Sequence, residues 1–561
     1  IDVTPLFVKD NAVLSVSSDN SKQLKLGGLM ADRTFIDTMK VYPINVEIAT
    51  TRTYSSSPST VPASYTGAMT IGLNTSVVLL PKVPMRKRVW DNRVGYFTNR
   101  YTIFSDDQTK TDREQFISRF RLEPKDKKAY AKGRLSEPVK PIVFYIDPAT
   151  PKKWVPYLMK GIEDWNVAFE AAGFKHAIQA REWPDDPTMS VDDARFNVLR
   201  YLPAEIENAY GPRIVDPRSG EIIESHICWY HNVMNLLTKW YFTQCAPLDK
   251  RAQTVHMDDK LMGELIRFVS SHEVGHTLGL RHNMGASHAT PVEKLRDKKW
   301  VEEHGHTASI MDYARFNYVA QPEDGVSERG LFPRVNDYDK WAIRWGYQYR
   351  PEFKDEMDEK EKLMTETTAI LAKNPRLWFG GEGKNEDPRA QTEDLGDDNV
   401  KAPSTIIFSM LHVMSYPVFL EPLRDYLPYV AFIMAAFSAL RLAKFNLDER
   451  QALGFIGLPT PANALFWGSL IVGVGDKLEN HSWVLYFIIA GILISSWLLV
   501  SEIPMFALKF KHWGFKGNEV KYIFLITCCP LVAIFGISAF AIIVAWYVIL
   551  SAIVQQTSTQ K

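Results

Sequence analysis

The run His272-Glu273-Val274-Gly275-His276-Thr277-Leu278-Gly279-Leu280-Arg281-His282 constrains this chain more than any other stretch, because its spacing already dictates a chemistry. In a helix over residues 258–280, His272 and His276 stand one turn apart on the same face, where both imidazoles can bind one metal ion. Glu273 projects beside the ion rather than onto it. Gly279 lets the helix stop and the chain turn, so that His282 can return as a third ligand. Three neutral nitrogens suit a tetrahedral Zn2+ with one position open to water, whose pKa then falls towards neutrality. Glu273 is placed to take that proton and pass it to a leaving amine.

The pattern HExxHxxGxxH resembles that of the metzincin zinc peptidases, whose other mark is a methionine turn downstream. Ser309-Ile310-Met311-Asp312-Tyr313 lies about thirty residues further on and fits that turn, with Met311 as the thioether floor beneath the histidines. The resemblance implies a role for Tyr313 at the metal or the oxyanion, and for Gly279 in turning the chain.

A chain of 561 residues is too long for one core and points to about two to four domains. Acidic and basic residues balance at 65 each, which gives no reason to expect a nucleic-acid partner. The four cysteines, Cys228, Cys245, Cys528 and Cys529, make no disulfide framework, although Cys228 and Cys245 could pair in an exported protein. The chain begins at Ile1 without a signal-like segment and reads as a fragment or processed product.

Residues 1–135 read as a β-rich accessory region. Strands are expected at 12–16, 42–46, 68–73 and 76–80, with a loop at 55–60. A catalytic domain follows over 136–400. Its first strand is 141–146, followed by a helix that aligns Trp154, Leu158, Ile162, Trp165 and Phe169 and ends at Gly173. A further strand at 197–201 and a turn at 216–222 complete an order that resembles the upper subdomain of metzincins. There an edge strand holds the substrate backbone. His288, His304 and His306 lie near the methionine turn and could donate to groups behind the metal ligands, although they read rather as surface residues, and Gly380-Gly381-Glu382-Gly383 reads as a loop that is no phosphate cradle. Residues 1 to about 400 resemble large bacterial metzincin-like proteases that are usually exported.

Near residue 402 the composition changes. Apolar runs at 405–420, 427–443, 462–475, 483–500 and 521–554, the last carrying Pro530, are expected to form about six membrane helices. Residues 439–446 and 455–463 resemble the second half of bacterial CDP-diacylglycerol–serine O-phosphatidyltransferase. That family uses Mg2+ or Mn2+ held by an aspartate signature, and the signature is absent here. The resemblance implies phosphate contacts for Arg441 and Lys444, which could equally anchor a helix end. Lysine and arginine clusters put the protease domain on the cytoplasmic side, whereas the first resemblance wants it exported. That conflict suggests an accidental join of two genes.

The expected architecture is therefore an α+β metzincin-like zinc peptidase domain with a β-rich N-terminal region, followed by an all-α polytopic membrane domain over 402–561. The expected activity is zinc-dependent endopeptidase action on peptides or proteins. The alternatives are the phosphatidyltransferase of phospholipid synthesis, a chimera with uncoupled parts, or a binding module with an inert zinc site. Bacterial inner membrane, lipid bilayer and CDP-diacylglycerol complete the expectations for place and partners.

Overall fold

A computed structural model describes residues 2–398 except 12, 58–62, 247, 253, 255 and 383–386. Beyond these it describes parts of 433–470, together with 455–460, 483–506, 514–515 and 518–559.

The N-terminal region is β-rich, as its alternating residues suggest. Strands β1 (Leu26–Leu29), β2 (Phe35–Val41), β3 (Asn45–Ser56) and β4 (Ala68–Val78) form one antiparallel sheet around β3. β4 runs the length of β3, from Ser55↔Ala68 to Asn45↔Val78, so the two short strands expected over 68–80 are one. The strand expected at 12–16 does not form. There the Asn11 carboxamide accepts from the amides of Val13 and Leu14, capturing the backbone in a local turn.

β5 (Thr98–Ile103) and β6 (Asp112–Ile117) pair as a hairpin, and the chain around them lies against the body formed by the following residues. Arg88, buried, donates to the carbonyls of Trp345, Gly346 and Gln348 and to Glu359 at 2.6 Å. These acceptors on both Nη atoms, with the carboxylate of Glu359, offset much of the cost of burying the cation.

The central body contains β7 (Ile142–Ile146), β8 (Ile178–Glu182), β9 (Asn197–Leu202), β10 (Ala209–Tyr210), β11 (Arg213–Val215) and β12 (Ile222–Tyr230). β8, β7, β9 and β12 are parallel neighbours in that order, and β10 and β11 run antiparallel on the outer edge of β12. The aromatic stripe is core, as its period requires: Trp154, Leu158, Ile162, Trp165 and Phe169 are all buried. It belongs to two helices, Val155–Glu163 and Asn166–Ala171, rather than one. Trp165 sits at the break and donates its indole N–H to the Ser271 carbonyl at 2.7 Å. That bond ties the stripe to the helix carrying the histidines. Cys228 and Cys245 are both free thiols.

The expected membrane domain needs correction. Residues 405–432 lie outside the described residues. Among the described residues no helix is long and apolar enough to cross a membrane, which overturns both the six-helix polytopic domain and the multi-pass inner-membrane location. Helices Trp483–Val500 and Glu519–Phe535 have 18 and 17 residues, and Ala539–Thr559 ends in Gln555-Gln556-Thr557-Ser558-Thr559. At about 1.5 Å per residue, 17 or 18 residues rise roughly 26–27 Å, short of a hydrocarbon core of about 30 Å. Part of their apolar surface packs together, with Leu458, Met505, Phe524, Val544, Tyr547 and Leu550 forming a buried cluster, while side chains such as Phe487, Trp497, Ile526 and Ile534 stay exposed.

Candidate active site

The helix Asp259–Thr277 starts where Asp258 accepts the amide of Leu261 at 2.9 Å, which satisfies a free donor of the first turn. Leu261, Leu265 and Phe268 are buried on the face that continues to His272, so packing fixes the rotation of the helix. The helix ends one residue before Leu278. Gly279 adopts φ +97, and a Cβ there would meet the Ser118 carbonyl oxygen at 2.1 Å. Only glycine fits this position.

The returning turn is braced by the N-terminal region. Phe97 donates its amide to Gly279 at 2.8 Å, and Arg281 donates to Gly95 at 2.8 Å. This is a role for part of residues 1–135 that the pattern of residues does not disclose.

One nitrogen from each of His272, His276 and His282 lies within 4.8 Å of the others. The opposite nitrogens are all engaged. His272 Nδ1 meets the Ile310 carbonyl at 2.7 Å, His276 Nδ1 the Leu280 carbonyl at 2.9 Å, and His282 Nδ1 the Glu382 carboxylate. Each acceptor fixes the proton on Nδ1 and turns an Nε2 lone pair inwards. The Nε2 atoms of His276 and His282 face each other at 3.0 Å, with no proton left to share. Two lone pairs at that separation repel unless a cation lies between them, so the donor set fits a metal ion and suits Zn2+. Burial holds His272 well below the usual histidine range and takes His276 down to about 4, keeping both neutral.

Met311 is fully buried, and its sulfur lies 2.1 Å from where a Cβ on Gly275 would stand. The thioether thus packs on the helix between the turns that carry His272 and His276. Asp339 builds this floor by accepting from the Ser309 hydroxyl at 2.6 Å and the Ile310 amide at 2.8 Å. Burial raises Asp339 to about 7, against the pull of these bonds.

Glu273 is 7% exposed, and its Oε2 has no hydrogen-bond partner among the described residues. Burial pushes its carboxyl up to about 8, with Arg315 pulling the other way. Tyr313 turns its ring towards the histidines, with centroids 4.4 Å from His282 and 5.6 Å from His272. The Arg315 guanidinium is clamped between two rings, 3.9 Å from Tyr313 and 3.7 Å from Trp240. Burial raises the Tyr313 hydroxyl above its ordinary value, while Arg315 opposes that shift.

Glu382, Asp339 and Arg315 were not singled out by sequence reasoning. A histidine ligand needs an acceptor for its second nitrogen, and that requirement was a signal pointing to Glu382 between glycines. His306 corrects a surface assignment: it is fully buried and donates from Nε2 to the Arg315 carbonyl at 3.0 Å. His288 and His304 are half-buried. Far along the chain, Lys444 donates to the Val500 carbonyl at 3.1 Å and to the Glu502 carboxylate, and Arg441 is 3% exposed.

Comparison with known proteins agrees with this geometry. Residues 254–416 match the family described as Met-zincin, and residues 1–125 match a family described as a domain of unknown function (DUF5117). Residues 254–416 are thus a metzincin-like domain, a class that implies Zn2+ and a peptide or protein substrate. No curated protein and no solved structure matches the chain.

Proposed function

We propose that the domain over residues 136–400 is a zinc-dependent endopeptidase. The observation that carries this is the convergence of three inward imidazole nitrogens beside the carboxylate of Glu273. His272, His276 and His282 would hold the ion. Zinc, when bound, supplies a Lewis acid that polarises a carbonyl and acidifies water. Glu273 accepts the proton of the attacking water and returns it to the leaving amine, and its buried carboxyl has the raised pKa that such a shuttle uses. The Tyr313 hydroxyl donates to the oxyanion that develops on the scissile carbonyl. Gly279 and Met311 act structurally, the first by reversing the chain and the second by supporting the histidines. The open edge of β10 and β11 would hold the substrate backbone by strand addition.

Residues 402–561 have no catalytic part in this proposal. The aspartate signature that would hold Mg2+ or Mn2+ is missing from the sequence, and Lys444 is engaged by Glu502.

The test is cleavage of an unfolded protein by the purified chain. Cleavage is expected to stop with 1,10-phenanthroline and to return with Zn2+. A folded, zinc-loaded chain that cleaves nothing would instead identify a binding module with an inert site.

A further inference from the structure

Arg213 differs from the other enclosed arginines around the site among the described residues. Arg88, Arg119, Arg315, Arg334, Arg350 and Arg376 each have a hydrogen bond or a carboxylate partner. The guanidinium of Arg213, half-buried, has neither among the described residues. Its Cζ lies over Phe97, 3.9 Å from the ring centroid, and the Phe97 ring is 6.0 Å from that of His276. Cation–π attraction offsets part of its desolvation, while its N–H donors have no acceptor among the described residues and stay open to solvent or to a ligand. Burial lowers its pKa only to about 10, so the charge persists at neutral pH.

The path of the chain explains the position. A Cβ on Gly211, which lies between β10 and β11, would meet Thr277 Cγ2 at 2.9 Å and the Glu273 carbonyl at 3.4 Å, so this segment passes directly over the histidine helix. Arg213 opens β11 two residues on, and its contact with Phe97 keeps it beside His276. β10 and β11 pair only with β12 among the described strands, leaving their outer edge open. A peptide added to that edge directs alternate side chains to the same face, beside Arg213.

We propose that Arg213 is a specificity-determining residue that receives a carboxylate of the bound peptide close to the scissile bond. The carboxylate belongs either to an Asp or Glu side chain or to the peptide's own C-terminus. A planar guanidinium fork matches both by paired charge-assisted bonds. This inference rests on the peptidase reading and names its substrate class.

The experiment uses the full chain carrying Glu273→Gln, loaded with zinc, so that binding is read without turnover. Fluorescence anisotropy compares labelled peptides that differ only by Glu or Gln flanking the centre, or by a free or amidated C-terminus. At least about tenfold tighter binding of one acidic form is expected, equivalent to about 1.4 kcal/mol. A preference for Glu over Gln assigns the side chain, and a preference for the free C-terminus assigns the terminal carboxylate. Adding Arg213→Gln should abolish the preference, and Arg213→Lys should retain part of it. Equal binding of acidic and neutral peptides overturns the inference, as does a preference that survives in a folded Arg213→Gln protein. Hydrolysis of an unfolded protein by the wild-type chain, measured in parallel, tests the peptidase reading separately.

Discussion

Met311 occupies the space that a side chain on Gly275 would fill: its sulfur is 2.1 Å from the position of a Cβ there, and Trp165 closes the same space from another side at 2.7 Å. Gly275→Ala would gain about 1 kcal/mol of helix propensity. Overpacking a tight core costs typically about 1–3 kcal/mol, so the net change is expected to be destabilising. The contacts at 2.1 and 2.7 Å put the cost at the upper end, so denaturant unfolding of the variant should show a loss of up to about 2 kcal/mol. The double variant Gly275→Ala, Met311→Ala should be more stable than the sum of the single effects. Strict additivity would mean that the two positions do not compete for space.

Glu382 anchors the proton of His282 from a hundred residues downstream. Glu382→Gln should keep the fold and weaken zinc binding by about 10- to 100-fold, the usual effect of removing an acceptor behind a histidine ligand. Competition with a chromophoric chelator measures it. Unaltered zinc affinity would show that Glu382 does not orient His282.

Arg315 holds Tyr313 between itself and the histidines, and its backbone takes φ +57, uncommon outside glycine. Arg315→Gln should retain zinc and substrate affinity while lowering kcat by roughly tenfold, the scale of one buried cation–π contact. A change confined to KM would place Arg315 in substrate binding instead.

His306 links stability to pH. Burial, with Arg334 adding repulsion, lowers its pKa from about 6.5 to about 4, so the fold favours the neutral ring. Between these values the unfolded chain binds the extra proton, so stability falls as pH drops from about 6.5 towards 4, by up to about 3 kcal/mol. Its Nδ1 has no hydrogen-bond partner among the described residues, which makes a second proton costly. His306→Gln should flatten this part of the stability profile relative to wild type. An unchanged slope would assign the dependence to other groups.

The candidate site is legible in the sequence where chemistry demands fixed spacing. His272 and His276 need one helical turn, His282 needs the Gly279 reversal, and these are local relations that a linear pattern records. The supports of the centre are contacts between distant segments. Asp339 beneath Ile310, Glu382 behind His282 and Gly95 against Arg281 carry no spacing signal. The aromatic stripe from Trp154 to Phe169 revealed its burial through helical period, but not the break at Trp165, which an indole bond to Ser271 accompanies. At the C-terminal end, apolar composition suggested membrane helices. Composition alone does not distinguish burial in lipid from burial among neighbouring helices, and helix length decided against a crossing among the described residues.

The most direct test of the proposed chemistry is made on Glu273→Ala, comparing zinc content and cleavage of an unfolded protein with the wild-type chain. Glu273 touches none of the three histidine acceptors, so the variant should bind one equivalent of zinc per chain and lose cleavage by at least about 100-fold, the scale of general acid–base catalysis. Undiminished hydrolysis by the zinc-loaded variant would contradict the assignment of Glu273 as the proton shuttle of a zinc peptidase.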